Sequence, residues 1–392
     1  MPLNDPAHAF VPYPDAPVAR APTGPLSDLT FAAKDLFDVA GYPTGGGSPL
    51  VLALSGIKSR TAPTVQRLLD AGARFVGKTV TDEFAFSMNG NNAHFGAPTN
   101  GAAPLRITGG SSSGSASAVS SGLCDFALGT DTGGSVRAPA NHCGLFGMRP
   151  THGRISLEGA LDLAPSFDTC GWFARDIGTF ARVADVLLGA DATPLPERVR
   201  LLRAYDVWSL ALPAAAAALQ GAARRVESVL GPAQEMTLAL ESFDAMYWNF
   251  RYLQSREAWL TDGPLIERYA PPLGPGVAER FAWSRNVSDE QVSAARVFRT
   301  AFRQHLGQLL GSDGVLMLPT MPDIAPLRSA DEAGLEDYRN LAIRLLCAAG
   351  LSGMPQLSMP LAQREGAPLG LSLLGPAGSD RSLVALAQRI AA

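Results

Sequence analysis

The spacing of apolar residues in the first part of the chain predicts alternating strands and helices. Leu29 to Ala33 is a short apolar run typical of a strand, and it ends at Lys34. Thr61 to Ala73 repeats its apolar residues at helical spacing, with Pro63 in the first turn, where its missing N–H costs little. Arg74 to Gly77 predicts the next strand. This order of strand, helix and strand indicates a sheet with crossover helices.

Later segments extend the pattern to the C-terminus. Asp176 is the expected N-cap of one helix, because its carboxylate can accept from the free N–H groups of the first turn. Residues 1–27, rich in Pro, Ala and Asp, predict an extended arm on the surface. The other predicted helices are Gly114–Gly122, Asp176–Leu188, 213–230, 242–260, 288–310, Leu341–Gly350 and Ser382–Ile390, and the other predicted strands are Cys124–Leu128, Val315–Leu318, Gln356–Met359 and Leu369–Leu374.

The order of these elements predicts a single large α/β domain over residues 1–392. There is no internal repeat and no low-complexity linker that would separate two domains. We divide the domain into a core at about 29–190, a mainly helical segment at about 191–330 and a C-terminal α/β return at about 331–392. We expect the helical segment to cover the functional site.

Composition and charge exclude several classes of protein. The chain is 46% hydrophobic and 17% charged with a net charge of -4, which is typical of a globular protein. It has no run of Lys or Arg for nucleic acid and no apolar stretch long enough for a membrane span. The N-terminus lacks a basic region followed by an apolar one, so we expect a cytoplasmic protein without a signal peptide. Four scattered cysteines are expected to be buried apolar residues rather than metal ligands: Cys124, Cys143, Cys170 and Cys347.

Two glycine-serine turns carry the candidate chemistry. They are Gly109-Gly110-Ser111 and Gly133-Gly134-Ser135. Glycine adopts backbone angles that other residues avoid and allows a ligand or another chain segment to approach closely. Two serines on such turns predict accessible hydroxyls with N–H groups nearby, which is the combination that acyl transfer requires.

A nucleophilic Ser135 would need a base within hydrogen-bonding distance. None of the five histidines lies in a triad context, and the chain has no G-x-S-x-G elbow. His142 and His152 lie near Ser135 in sequence, but we interpret both as structural. Lys34 is the alternative, because burial disfavours the charged form of a lysine and makes it a base. Ser111 could then relay a proton between Lys34 and Ser135.

The second turn also predicts electrostatic stabilisation. Successive N–H groups in Gly129 to Ser135 can form a nest that points at one spot and holds an oxyanion. A phosphate loop is the main competing interpretation of the first turn, because Gly109 to Gly114 matches G-x-x-x-x-G. Ser115 and Ala116 follow where Lys and Ser or Thr are required, which argues against nucleotide binding.

Three motifs in this order resemble the amidase signature family. They are Lys34-Asp35 after a strand, the segment Gly109 to Ser115 and the segment Gly129 to Pro139. The resemblance covers about Leu29 to Trp172 and continues in two C-terminal segments, Ser352 to Gln356 and Leu369 to Pro376. It implies a mixed, mostly parallel twisted sheet flanked by helices, with no cofactor and no metal.

The resemblance also implies the roles of individual residues. The nucleophile would be Ser135, the bridging serine on a cis peptide would be Ser111, and the base would be Lys34. The oxyanion hole would use the N–H groups of Thr132, Gly133, Gly134 and Ser135. Ser112 and Arg137 would support the site, and the acyl pocket would include Phe86, Ser87 and Met88.

The segments Thr81 to Gly96 and Ser166 to Asp176 are similar to those of plant-type indole-3-acetamide amidohydrolases and their bacterial relatives. This similarity implies an amidohydrolase for a small amide with an aryl or apolar acyl group, acting through an acyl-enzyme. One alternative is a carboxybiuret-, allophanate- or small-diamide-type hydrolase, which would require a pocket arginine such as Arg251 or Arg285. Others are an amidotransferase subunit or a non-catalytic amidase-like binding module. The sequence leaves open whether the chain forms a homodimer.

Overall fold

The protein was analysed as a computed structural model, which describes residues 4–392. Its framework is one mixed sheet with strand order β2-β1-β3-β5-β4-β9-β10-β8-β6-β7. The strands are β1 Thr30–Lys34, β2 Arg74–Thr79, β3 Phe126–Thr130, β4 Phe146–Arg149, β5 Cys170–Ala174, β6 Arg200–Ala204, β7 Gln234–Met236, β8 Gly314–Pro319, β9 Gln356–Arg364 and β10 Ala367–Leu374.

Helices lie on both faces of the sheet. They are α1 Pro49–Ser55, α2 Pro63–Asp70, α3 Ser113–Ser120, α4 Arg137–Cys143, α5 Ile177–Leu187, α6 Tyr205–Trp208, α7 Pro213–Leu230, α8 Phe243–Tyr269, α9 Val277–Arg285, α10 Asp289–Leu310, α11 Glu332–Ser352 and α12 Asp380–Ala391. No helix within residues 4–392 combines the length and the apolar character needed to cross a membrane.

The predicted single domain with a mixed, helix-flanked sheet is confirmed. Parallel pairing occurs at the two ends of the sheet, where β1 pairs with β2 and β3, and β6 pairs with β7 and β8. The middle is antiparallel. Among the described strands, four of nine neighbouring pairs are therefore parallel, a smaller share than the sequence suggested. One of the five antiparallel pairs has a local reason: β9 and β10 form a hairpin, and a hairpin can join only antiparallel strands.

Most of the predicted elements are present, with shifted ends. Asp176 caps α5 as expected and accepts from Thr179 N at 2.7 Å. The main difference lies in the segment 191–330, because β6 and β7, which were not predicted, extend the sheet beside the predicted β8. Its other parts form helices α6 to α10, of which α7, α8 and α10 were predicted from the apolar spacing.

The alternation of side chains along β1 decides to which face of the sheet Lys34 points. Phe31 and Ala33 belong to the apolar core that includes α2, α5, α7 and α12, whereas Ala32 packs in a separate core with α3 and α4. Successive side chains of a strand point to opposite faces. Lys34 therefore points to the same face as Ala32, at the carboxyl end of a strand that lies between β2 and β3.

Candidate active site

Lys34 is completely buried at the end of β1. Its Nζ donates to Ser111 Oγ at 2.7 Å and to Thr130 Oγ1 at 2.8 Å. Burial lowers the pKa of Lys34 to about 7, although Asp82, Asp168 and Asp131 act in the opposite direction. A substantial fraction of Lys34 is thus a neutral amine near neutral pH.

The first serine turn presents Ser111 to this amine. The Gly110-Ser111 peptide is cis, as the resemblance implied. Ser111 O accepts from Asp82 N at 3.1 Å and from Thr81 Oγ1 at 2.9 Å. These bonds fix the backbone of Ser111 against the segment that follows β2, so its hydroxyl is held at Lys34.

Ser112 joins the first turn to β3 and to the second turn. Its Oγ donates to Thr130 O at 3.2 Å and accepts from Thr130 N at 3.3 Å. Its N–H donates to Ser135 O at 3.3 Å. The two turns are therefore directly connected beside Lys34, in keeping with the supporting position expected for Ser112.

The second turn folds around the buried carboxylate of Asp131. Arg137 donates to it through Nε at 3.0 Å and Nη2 at 2.8 Å, and Arg149 Nη1 donates at 3.2 Å. Burial alone would raise the pKa of Asp131, but Arg137 and Arg149 outweigh it and hold the pKa below its usual range. The carboxylate also accepts from the N–H groups of Gly134, Val136 and Arg137.

This arrangement changes the predicted set of oxyanion donors. Gly134 N–H is not available, because it donates to Asp131 Oδ1 at 2.9 Å. Among the described residues, the N–H groups of Thr132, Gly133 and Ser135 donate to no protein acceptor. Gly134 is instead a conformational residue: its φ is +131°, and its Cβ position is occupied by the side chain of Leu346.

Ser135 is nearly buried, at 6% exposure, and lines a narrow cavity of about 10 Å³, which has room for about one water molecule. Within residues 4–392, Ser135 Oγ makes no hydrogen bond, so the link to Ser111 Oγ is not formed in this conformation. The cavity is lined by Ala85, Phe86, Ser87, Met88, Gly133, Ser135, Phe250, Gln254, Arg339 and Ile343. The structure thus brings the three predicted acyl-pocket residues together with the predicted nucleophile, and their role stays a prediction.

A wider outer pocket adjoins this cavity at Ser87. It contains Arg251, one of the two arginines suggested by the sequence, together with Arg280. Arg285 lies elsewhere: it is exposed and pairs with Glu267 at 3.0 Å. The arginine in the inner cavity is Arg339 of α11, which the sequence did not indicate.

The histidines occupy structural positions. His142 is buried, with Nε2 3.0 Å from Tyr338 Oη, and burial lowers its pKa to about 3. His152 Nε2 lies 2.9 Å from Pro165 O. Neither contacts Ser135, in agreement with the interpretation from sequence. The four cysteines are buried and free, as expected.

Sequence reasoning missed Thr130 and Asp131 as partners of the site, although both lie in the motif it selected. The signal was present for Thr130, because β1 and β3 were both predicted strands and their carboxyl ends would meet in a parallel pair. Phe250, Gln254 and Arg339 had no comparable signal. They lie on α8 and α11, far from the motifs in sequence.

Comparison with known proteins agrees with this geometry. A family model described as Amidase matches residues 9–205. "Amidase 1" of Arabidopsis thaliana is 40% identical over 396 residues, covering 94% of this chain and 93% of that protein. "Outer envelope protein 64, chloroplastic", from the same plant, is 35% identical over 400 residues, covering 96% of this chain and 68% of that protein.

Comparison with solved structures also finds an amidase. One described as "Crystal structure of amidase" has a TM-score of 0.84 and 31% identity, and the match covers 94% of this chain and 85% of that one. The match extends over the sheet and both helical layers rather than over the serine turns alone. The chain therefore belongs to the amidase family, whose signature motifs its two serine turns and Lys34 resemble.

Proposed function

We propose that the protein hydrolyses small carboxylic amides to acid and ammonia or amine through a triad of Ser135, Ser111 and Lys34. The observation that carries this proposal is the hydrogen bond from a fully buried Lys34 to Ser111, beside a second serine that opens into a cavity. A lysine with a pKa near neutrality is a suitable general base, because it is both unprotonated and basic enough to accept a proton.

Acylation begins with a proton relay. In the neutral amine, one N–H of Lys34 can remain with Thr130 while the lone pair faces Ser111. Lys34 accepts the proton of Ser111, and Ser111 accepts the proton of Ser135. Ser135 Oγ then forms a bond to the amide carbonyl carbon. This step requires Ser135 to rotate towards Ser111 when substrate is bound, since apo hydrogen bonds in active sites often tighten only in the complex.

The oxyanion that forms is stabilised by the free N–H groups of Thr132, Gly133 and Ser135. Their positions are fixed before substrate arrives, because Asp131, Arg137 and Arg149 hold the loop. Such preorganised donors stabilise charge without reorganisation. The C–N bond breaks as Ser111 returns a proton to the leaving nitrogen, and Lys34 restores the proton of Ser111. Water then attacks the acyl-enzyme, and the same relay runs again with water in place of Ser135.

The cavity indicates the acyl group. Phe86, Met88, Phe250 and Ile343 give it apolar walls, which favour an aryl or apolar segment next to the carbonyl, as in indole-3-acetamide. Arg339 supports the alternative of a polar or anionic acyl group. Gln254 Oε1 is buried and, within the described part of the chain, unpartnered, so it can accept a hydrogen bond from substrate.

Replacing the nucleophile tests the triad directly. Ser135→Ala should lower turnover of indole-3-acetamide or benzamide by at least about 10³-fold, because the covalent route is lost. Mass spectrometry of the intact protein should show acylation of wild type and none of the variant. Ser113→Ala is the matched control: this buried serine begins α3, after the first turn, and its hydroxyl donates to Val80 O at 3.5 Å, so most activity should remain. Near-normal turnover by Ser135→Ala would exclude this mechanism.

The pH profile tests the base. Because Lys34 must be unprotonated, kcat/KM should rise about tenfold per pH unit below pH 7 and level off above it. Lys34→Ala should lose this dependence, and high pH should not restore its activity. Lys58→Ala, which removes a partly exposed lysine paired with Asp38, should keep the wild-type profile. An inflection near the pKa of an ordinary lysine would contradict the assignment.

We also propose that Arg137 supports the oxyanion loop. Arg137→Met leaves the buried Asp131 with Arg149 alone, and removing one partner of a buried ion pair typically costs about 3–5 kcal/mol. Urea unfolding measures the change. Arg285→Gln, which breaks an exposed pair, should change stability by no more than about 1 kcal/mol. Equal effects of the two substitutions would show that the loop does not depend on this ion pair.

A further inference from the structure

The antiparallel pairing of β3 and β5 continues into the loop that carries the predicted oxyanion donors. The two strands are paired up to the end of β3. Beyond it, Asp131 N–H donates to Thr169 O at 2.9 Å, and Thr169 Oγ1 donates to Asp131 O at 2.9 Å. The next opposed pair is Thr132 and Asp168. The hydroxyl of Thr132 donates to Asp168 Oδ1.

The carbonyl groups of this loop are bound from one side by the buried Arg149. Its Nη1 donates to Asp131 O at 2.5 Å and to Thr132 O at 3.1 Å. Both carbonyls belong to trans peptides, in which the N–H points away from the C=O. The N–H groups of the same two peptides are those of Thr132 and Gly133, so both point away from Arg149. Gly133 lines the cavity together with Ser135.

Asp168 is a fixed acceptor for the hydroxyl of Thr132. It is buried, and its second oxygen, Oδ2, accepts from the N–H groups of Leu163 and Ala164, both at 2.9 Å. Hydrogen bonds to a carboxylate are stronger than bonds between neutral groups. The hydroxyl and the carbonyl of Thr132 are thus both bonded to protein. Among the polar groups of Thr132, only its N–H has no partner in the described part of the chain.

We propose that Asp168 is a positioning residue for amide hydrolysis: it holds the hydroxyl of Thr132 and so keeps the N–H groups of Thr132 and Gly133 directed at the oxyanion. This inference rests on the proposed amidase function. Asp168 acts through Thr132 and does not need to touch the substrate. Because the oxyanion forms only during the reaction, losing this support should weaken binding of the transition state more than binding of the substrate.

Asp168 also acts on Lys34, because its charge opposes the effect of burial on the pKa of that amine. Replacing Asp168 would therefore change both the loop and the base. Thr132→Val removes the hydroxyl and leaves the charge of Asp168 in place, so it tests the loop alone. Its pH profile should keep the wild-type midpoint.

Turnover and a transition-state analogue give the measurement. Thr132→Val should lower kcat for phenylacetamide by about 10- to 100-fold with KM nearly unchanged, because the oxyanion donors are displaced rather than removed. The analogue is benzyl trifluoromethyl ketone. Its carbonyl carbon bonds to Ser135 Oγ, the proton of Ser135 passes through Ser111 to Lys34, and the ketone oxygen becomes the oxyanion. Affinity for this ketone should fall by a similar factor.

Two further substitutions separate positioning from general loss of structure. Thr132→Ser retains the hydroxyl and should recover most of both losses. Thr64→Val is the matched control, because it removes another buried threonine hydroxyl, which donates to Ser156 O from α2. It should keep the wild-type kcat and ketone affinity. If Thr132→Val does not fold, Asp168→Asn should show the same losses at high pH, where Lys34 is unprotonated with or without the charge of Asp168.

Three results would overturn the role of Asp168 and leave the amidase function intact. They are a Thr132→Val protein that raises KM without lowering kcat, an equal loss of substrate and ketone affinity, and a Thr132→Ser protein no better than Thr132→Val. Substrate affinity is measured by calorimetry in the Ser135→Ala background. If wild type hydrolyses no amide and does not bond to the ketone, the proposed function fails and this inference falls with it.

Discussion

Among the described residues, no carboxylate forms an ion pair with the buried amine of Lys34, and the proposed active site depends on this constraint. The sheet contains two buried lysines on neighbouring strands, Lys34 on β1 and Lys78 on β2. Lys78 forms an ion pair with Asp35 at 2.8 Å, whereas Lys34, among the described residues, contacts only the hydroxyls of Ser111 and Thr130. A hydroxyl can hydrogen-bond to an amine but, unlike a carboxylate, does not stabilise its positive charge through an ion pair. Burial lowers the pKa of both lysines, and at Lys34, which has no ion-pair partner among the described residues, the pKa falls to about 7.

The rest of the site follows from how this amine is enclosed. Ser111 is fixed by bonds from the segment after β2, and Thr130 by its place at the end of β3. The loop that follows β3 carries Ser135 and is fixed in turn by the ion pairs of Asp131 with Arg137 and Arg149. The charged side chains of Asp131, Arg137 and Arg149 thus hold the loop and its N–H groups in place, and the proposed reacting groups are two hydroxyls and an amine whose pKa is near neutral.

The core of this site could be predicted from sequence because its residues lie in short motifs. Lys34, Ser111 and Ser135 each follow a strand or a glycine pair, so local pattern selected them as candidates, and the family resemblance implied their roles. The donors of the oxyanion hole were predicted less well, since only the structure shows that Gly134 N–H is occupied by Asp131. Strands β6 and β7 were missed because Arg200–Ala204 and Gln234–Met236 contain charged or polar residues and form no apolar run.

The substrate side could not be predicted for a different physical reason. Arg339 and Gln254 lie on long helices, and their helical positions do not reveal which face meets the cavity. That is decided by how α8 and α11 pack against the sheet, with Phe250 and Leu346 buried between them and the second turn. The proposed catalytic residues are therefore encoded locally, whereas the lining of the adjoining cavity depends on the packing of distant segments.

Titration of Lys34 tests most directly the claim that burial makes it a neutral base near neutral pH. The chain has only three lysines, Lys34, Lys58 and Lys78, so ¹³C labelling at the lysine ε-carbon should give three NMR signals. Lys34→Ala would identify its signal by loss. We expect this signal to titrate near pH 7. A Lys34 that stays charged up to the range of an ordinary lysine, about pH 10, would contradict the claim that burial makes it the base.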